Sequence, residues 1–102
     1  MKEILRKTED DLEIEKFDGG GYPVYSFNGK LFTGILVDYY DDGTLAAETE
    51  CQNGFLEGVY KEYFENGQQK LEYIQENNRI TGIYREWDEE GNLIKEIDVT
   101  KK

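Results

Sequence analysis

Glu48, Glu72 and Glu96 recur at intervals of 24 residues, and repeated carboxylates are a residue type able to do chemistry. Two could act as general acid and base, and three could gather calcium. Distance argues against both. Equivalent residues of successive hairpins lie two strands apart, about 10 Å at the usual strand spacing. Retaining glycosidases need roughly 5 Å between carboxylates, inverting ones about 6.5–9.5 Å, and calcium needs oxygens at about 2.4 Å. The three glutamates therefore read as a solvated acidic surface. The chain has no histidine, which removes imidazole zinc sites and Ser/His or Cys/His nucleophiles. Its single cysteine, Cys51, has no cation nearby in sequence to depress its pKa and reads as a small sheet residue. The expectation is a non-enzyme with no catalytic residue, no metal and no cofactor.

The elements that carry these residues must come from one small domain, because 102 residues that are 37% hydrophobic and 14% aromatic cannot be divided into two. Leu, Ile, Val and Phe number 25, above the roughly 20% floor for a chain that folds. Against 12 Lys and Arg stand 23 Asp and Glu, a formal charge of −11. That charge opposes nucleic acid and anionic membranes as partners and favours a basic protein. The start, MKEILRKTEDDL, has no apolar stretch of about 7–15 residues, so it is not a secretory signal. The longest apolar run, Ile35-Leu36-Val37, falls far short of a bilayer core of about 30 Å. A cytoplasmic location is expected.

The chain repeats itself. The segments NGKLFTGILVDYYDDGTLAAETECQ, NGFLEGVYKEYFENGQQKLEYIQE and NNRITGIYREWDEEGNLIKEIDVT align end to end. Gly34, Gly58 and Gly82 are 24 residues apart, as are Gly43, Gly67 and Gly91. Each unit reads as a β-hairpin. Asp41-Asp42-Gly43, Glu65-Asn66-Gly67 and Glu89-Glu90-Gly91 end on the glycine that a type I turn with a bulge requires. Asn53-Gly54 and Asn77-Asn78 favour reversal into the next hairpin. One extra residue between Asn28-Gly29 and Gly34 implies a longer first turn. LEIEKF and YPVYSF, around Gly19-Gly20-Gly21, read as a less regular end hairpin, with Pro23 suggesting an edge. The expected fold is all-β: a single-layer antiparallel meander of hairpins of about 24 residues each. Residues 1–11 form a tail or short helix. Residues 12–102 form the repeat domain, with a partial unit at 12–27 and repeats at 28–52, 53–76 and 77–100.

Alternation along each first strand divides it into two faces. One holds Ile35, Val37, Tyr39, Val59, Lys61, Tyr63, Ile83, Arg85 and Trp87; the other holds Leu36, Asp38, Tyr60, Glu62, Phe64, Tyr84 and Glu86. In the second strands, Leu45, Ala47, Thr49, Leu71 and Tyr73 are assigned to an apolar side and Glu48, Glu50, Glu72 and Glu96 to an acidic one. The aromatic columns Tyr39/Tyr63/Trp87 and Tyr60/Tyr84 read first as core stacking. Rings beside carboxylates also resemble protein-binding surfaces, which nominates Asp38, Tyr60, Glu62, Phe64, Tyr84 and Glu86 as a partner-binding face. Gly34, Gly58 and Gly82 read as points of close approach.

The glycine, aromatic and turn positions Gly34, Tyr39, Gly43; Gly58, Tyr63, Gly67; and Gly82, Trp87, Gly91 give the chain a pattern that resembles the MORN-repeat variant family from Asn28 to Thr100. The resemblance implies an elongated antiparallel sheet without catalytic activity. Bacterial members are often described as antitoxin- or immunity-like, and other MORN proteins act as scaffolds or bind membrane lipids. Where many members carry Trp two residues after the first glycine, this chain has Leu36, Tyr60 and Tyr84. The expectation is a protein-binding module of antitoxin or immunity type that occludes a basic, toxin-like partner. The alternative is a self-associating scaffold of MORN type, a homodimer peripheral to a membrane.

Overall fold

The computed structural model describes residues 4–100. Its strands are β1 (Arg6–Lys7), β2 (Glu13–Phe17), β3 (Pro23–Phe27), β4 (Lys30–Leu31), β5 (Gly34–Tyr39), β6 (Leu45–Gln52), β7 (Phe55–Tyr63), β8 (Gln69–Glu76), β9 (Arg79–Trp87) and β10 (Leu93–Asp98). Among the described residues the one helical element is a 3-10 turn at Glu9–Asp11. The protein is all-β, and β5 to β10 form an antiparallel meander of hairpins, each strand beside its neighbour in sequence.

The turns follow from the glycine triplets. Gly43 N–H donates to the Tyr40 carbonyl and Tyr40 N–H to the Thr44 carbonyl; Phe64, Gly67 and Gln68, then Asp88, Gly91 and Asn92, repeat the pattern. The three glycines have φ of 91°, 89° and 90°, which L side chains rarely adopt. Asp18, Gly21 and Tyr22 close the β2–β3 hairpin with the same bonds, so the end unit uses the same turn. At the opposite end of the hairpins, Asn28-Gly29, Asn53-Gly54 and Asn77-Asn78 are pairs of positive-φ residues, the geometry of two-residue reversals.

Hydrogen bonding divides the strands into two sheets. β2-β3-β4 form a three-stranded sheet, and β1-β5-β6-β7-β8-β9-β10 form a seven-stranded one. The extra residue before Gly34 is the cause. It does not lengthen the turn, where Asn28 and Gly29 keep φ of 52° and 81°. It instead breaks the outgoing strand at Phe32–Thr33, where the corresponding β7 runs on unbroken, so the repeat at 28–52 is divided between the sheets. At the break Phe32 turns inward and is 1% exposed. Its N–H donates to the Tyr25 carbonyl at 3.0 Å, Gly54 N–H donates to its carbonyl at 2.8 Å, and Tyr25 N–H donates to the Gly54 carbonyl at 2.9 Å. This triangle of backbone bonds joins the sheets. The core lies beside it: Tyr25, Phe32, Leu36 and Cys51, flanked by Leu12, Phe27 and Leu56.

Other local expectations change as well. Pro23 opens β3, the middle strand of the small sheet and not an edge; the first residue of a strand tolerates the missing N–H. Within the supposed tail, Arg6 and Lys7 pair in parallel with Ile35 and Leu36, and residues 1–3 lie outside the described residues. Close approach explains two of the three repeat glycines. A Cβ at Gly58 would strike the Glu50 carboxylate, which accepts the Val59 N–H at 2.9 Å. A Cβ at Gly34 would meet the Leu5 carbonyl, with a Phe32 ring carbon at 2.9 Å. At Gly82 the nearest contact is Ile74 at 3.9 Å.

Asn78 takes the place that glycine holds in the other reversals, and its buried side chain shows why. Its Oδ1 accepts the Leu56 N–H at 2.6 Å, and its Nδ2 donates to Asp18 Oδ2 at 3.1 Å. Asn78→Gly, although easier on the backbone, should lower the unfolding free energy by about 1–3 kcal/mol, because it leaves the Leu56 N–H without its acceptor. An unchanged urea midpoint would show that the clasp adds nothing. Phe32→Ala should cost about 3–5 kcal/mol in the same measurement.

Candidate functional site

Directly opposed residues of an antiparallel sheet project to the same side. Tyr60 opposes both Thr49 and Tyr73; Glu62 opposes Ala47 and Leu71; Glu86 opposes Leu71 and Lys95; and Asp38 opposes Ala47. Asp38, Glu62 and Glu86 therefore occupy one row across the sheet, and Tyr60, Tyr73 and Tyr84 occupy the next. The Tyr60 and Tyr73 rings stack with centroids 4.6 Å apart, and Tyr73 and Tyr84 with centroids 5.9 Å apart. Phe64 lies apart from this stack at the turn, where the Lys70 ammonium sits 5.7 Å from its ring centre.

Tyr73 completes the row and was not singled out from sequence. The second strand of each repeat hairpin has a bulge just past the turn, shown by the register skipping Ala46, Lys70 and Ile94. Counting alternation across the turn without that bulge assigns the wrong side to everything after it. The sheet consequently does not separate an apolar side from an acidic one. Glu48, Glu72 and Glu96 lie on the side of Lys61 and Arg85, each glutamate opposite a cation. Arg6 reaches Glu48 at 3.1 Å, and Arg85 reaches Glu72 at 3.5 Å and Glu96 at 2.8 Å. The expected acidic surface is thus a ladder of alternating sign, Arg6-Glu48-Lys61-Glu72-Arg85-Glu96. The columns Tyr39, Tyr63 and Trp87 share the ladder's side. Tyr39 is exposed, and Tyr63 donates its hydroxyl to Glu48 at 2.7 Å; stacking runs through Tyr60, Tyr73 and Tyr84 instead.

The two sides therefore differ in how their charge is met. All three ion pairs among the described residues belong to the ladder, and none involves Asp38, Glu62 or Glu86. Glu86 accepts the Tyr84 hydroxyl at 2.5 Å, and this bond, helped by burial, pushes the tyrosine pKa up to about 12. Burial, followed by the charge of Glu62, raises both Tyr60 and Tyr73. At the β5 end, the 3-10 turn carries further acid over the same side. A groove of about 480 Å³ is lined by Thr8, Glu9, Asp10, Leu36, Asp38 and Tyr60, among others. Glu9 and Asp10 carried no sequence signal, because their place depends on β1 pairing with β5.

No group of three or more His, Cys, Asp or Glu is arranged to hold a metal among the described residues. Cys51 is buried, and burial pushes its thiol up to about 12, away from reactivity. What this arrangement offers is a row of rigid rings beside a row of carboxylates that make no ion pair among the described residues, suited to cationic and apolar side chains.

The tyrosines also set an alkaline limit. Tyr25, Tyr63 and Tyr84 hold their protons to about 12 in the folded protein, against about 10 in an unfolded chain. Unfolding then releases protons between these values, so the stabilisation is complete below pH ~10 and is lost as pH rises through ~12. Urea midpoints should be level from pH 8 to 9.5 and fall between pH 10 and 12, in step with tyrosinate absorbance. A level midpoint through pH 12 would contradict the raised values.

No curated protein and no solved structure gives a significant match to the chain. The family model of the MORN repeat variant matches residues 56–75 and 80–100, so the similarity covers two adjacent units, β7–β8 and β9–β10, and the divided first unit lies outside the match.

Proposed function

We propose that the protein is a non-enzymatic binding module that occludes a basic partner protein with the side bearing Asp38, Tyr60, Glu62, Tyr73, Tyr84 and Glu86, in an antitoxin or immunity role in the cytoplasm. MORN repeats are associated with protein or membrane binding. The carrying observation is the asymmetry of ion pairing: all three ion pairs among the described residues lie on the ladder side, and none reaches Asp38, Glu62 or Glu86. A cationic surface would supply their missing counter-charges, and the stacked rings would add contact area at low entropic cost. The net charge of −11 points to a protein of opposite sign and away from anionic lipid.

Charge reversal tests this directly. Glu62→Lys combined with Glu86→Lys should slow association with a captured basic partner about tenfold or more at low salt, and less at about 0.3 M, where screening has shortened to a few ångströms. Folding of the variant is checked by circular dichroism. If the wild type retains no basic protein at either salt, or if association rates are indifferent to the reversal, this reading fails. A stable homodimer in sedimentation would favour the scaffold alternative.

A further inference from the structure

The charge ladder stops on a glutamate at an open edge. Glu48 lies between Arg6 and Lys61, and Glu72 lies between Lys61 and Arg85, whereas Glu96 has Arg85 on one side and no strand on the other among the described residues. The same strand exposes its apolar residues: Leu93 is 51% exposed, Ile94 61% and Ile97 43%. An unpaired edge with accessible apolar side chains is a template for strand addition.

We propose that β10 is a docking edge for an extended segment of another protein, which joins the seven-stranded sheet as an eighth strand and places a Lys or Arg opposite Glu96. The chain supplies the template twice. β7 adds to β6 with Lys61 opposite Glu48, and β9 adds to β8 with Arg85 opposite Glu72. Both added strands read aromatic, cation, glutamate, aromatic: Tyr60-Lys61-Glu62-Tyr63 and Tyr84-Arg85-Glu86-Trp87. At β10, such a segment would set its cation on Glu96, its glutamate on Lys95 and its rings on Ile94 and Ile97.

A second copy of this chain fits poorly. Its other long free edge, β2, presents Glu13 and Glu15, and its register is broken between Ile14 and Lys16, which disrupts an edge for pairing. Two β10 strands related by a twofold axis normal to the sheet pair residues of the same side. Glu96 would then face Ile94, Glu96 or Asp98, and never Lys95, which lies on the side of Glu86 and Tyr84. The occupant is therefore a different, cationic chain. This edge is separate from the tyrosine side, and the inference does not rest on the proposed function.

The test uses the full chain and two capped peptides, one with the sequence of residues 80–87 and one identical except for Arg85→Glu. Amide chemical shifts should move along β10, and the arginine peptide should bind about fivefold tighter or more than its glutamate counterpart. Glu96→Lys, checked for folding by circular dichroism, should invert that preference, while Glu62→Lys should preserve it. Equal affinities for the two peptides on the wild type, shifts confined to elements other than β10, or a homodimer whose β10 amides become protected would each overturn the proposal; the first comparison needs no variant to fold.

Discussion

One unpaired residue in the second strand of each repeat hairpin governs which side chains of this protein share a surface. In each of the three repeat hairpins the second strand carries a bulge just beyond the turn, and Ala46, Lys70 and Ile94 are the residues left unpaired there. Side chains alternate with a period of two, so each insertion exchanges the sides of the strand that follows. Glu48, Glu72 and Glu96 are thereby brought against Lys61 and Arg85, and Tyr73 is brought between Tyr60 and Tyr84. The ladder and the tyrosine row are two results of the same backbone rule.

Neither row makes up for a large core. Few side chains are fully buried, and they gather where the small sheet meets the first hairpins. Most of the long strands are half-buried on both sides, so rings and carboxylates remain within reach of another molecule. Exposed ion pairs add little stability, typically under about 1 kcal/mol each. The ladder matters more for register: sliding a strand by one residue would break the opposition of unlike charges along the sheet.

Much of the architecture could be read from glycine and asparagine alone. The period of 24, the Gly43, Gly67 and Gly91 turns and the Asn-Gly reversals follow from conformations that few other residues adopt. Nominated residues Asp38, Tyr60, Glu62, Tyr84 and Glu86 do share a side, because alternation within a single strand needs no knowledge of the turn. What lay beyond reach depended on contacts between distant segments. Phe32 looks like any strand residue until the inserted residue turns it inward, and Arg6 and Glu9 acquire neighbours when β1 settles beside β5. Asn78 resembles an ordinary reversal residue, and its amide has a use because Asp18 is delivered to it from 60 residues away.

That last bond changes the arithmetic of cooperativity. In a linear array each unit touches its immediate neighbours, so the ends unravel independently of the middle. By tying the third reversal to the turn of the first hairpin, Asn78 makes a loop of what would be a row and couples the opening of β2–β3 to that of β8. The β9–β10 hairpin beyond the clasp is held mainly by β8. It is the segment free to fray first, at the end of the molecule where the sheet remains open.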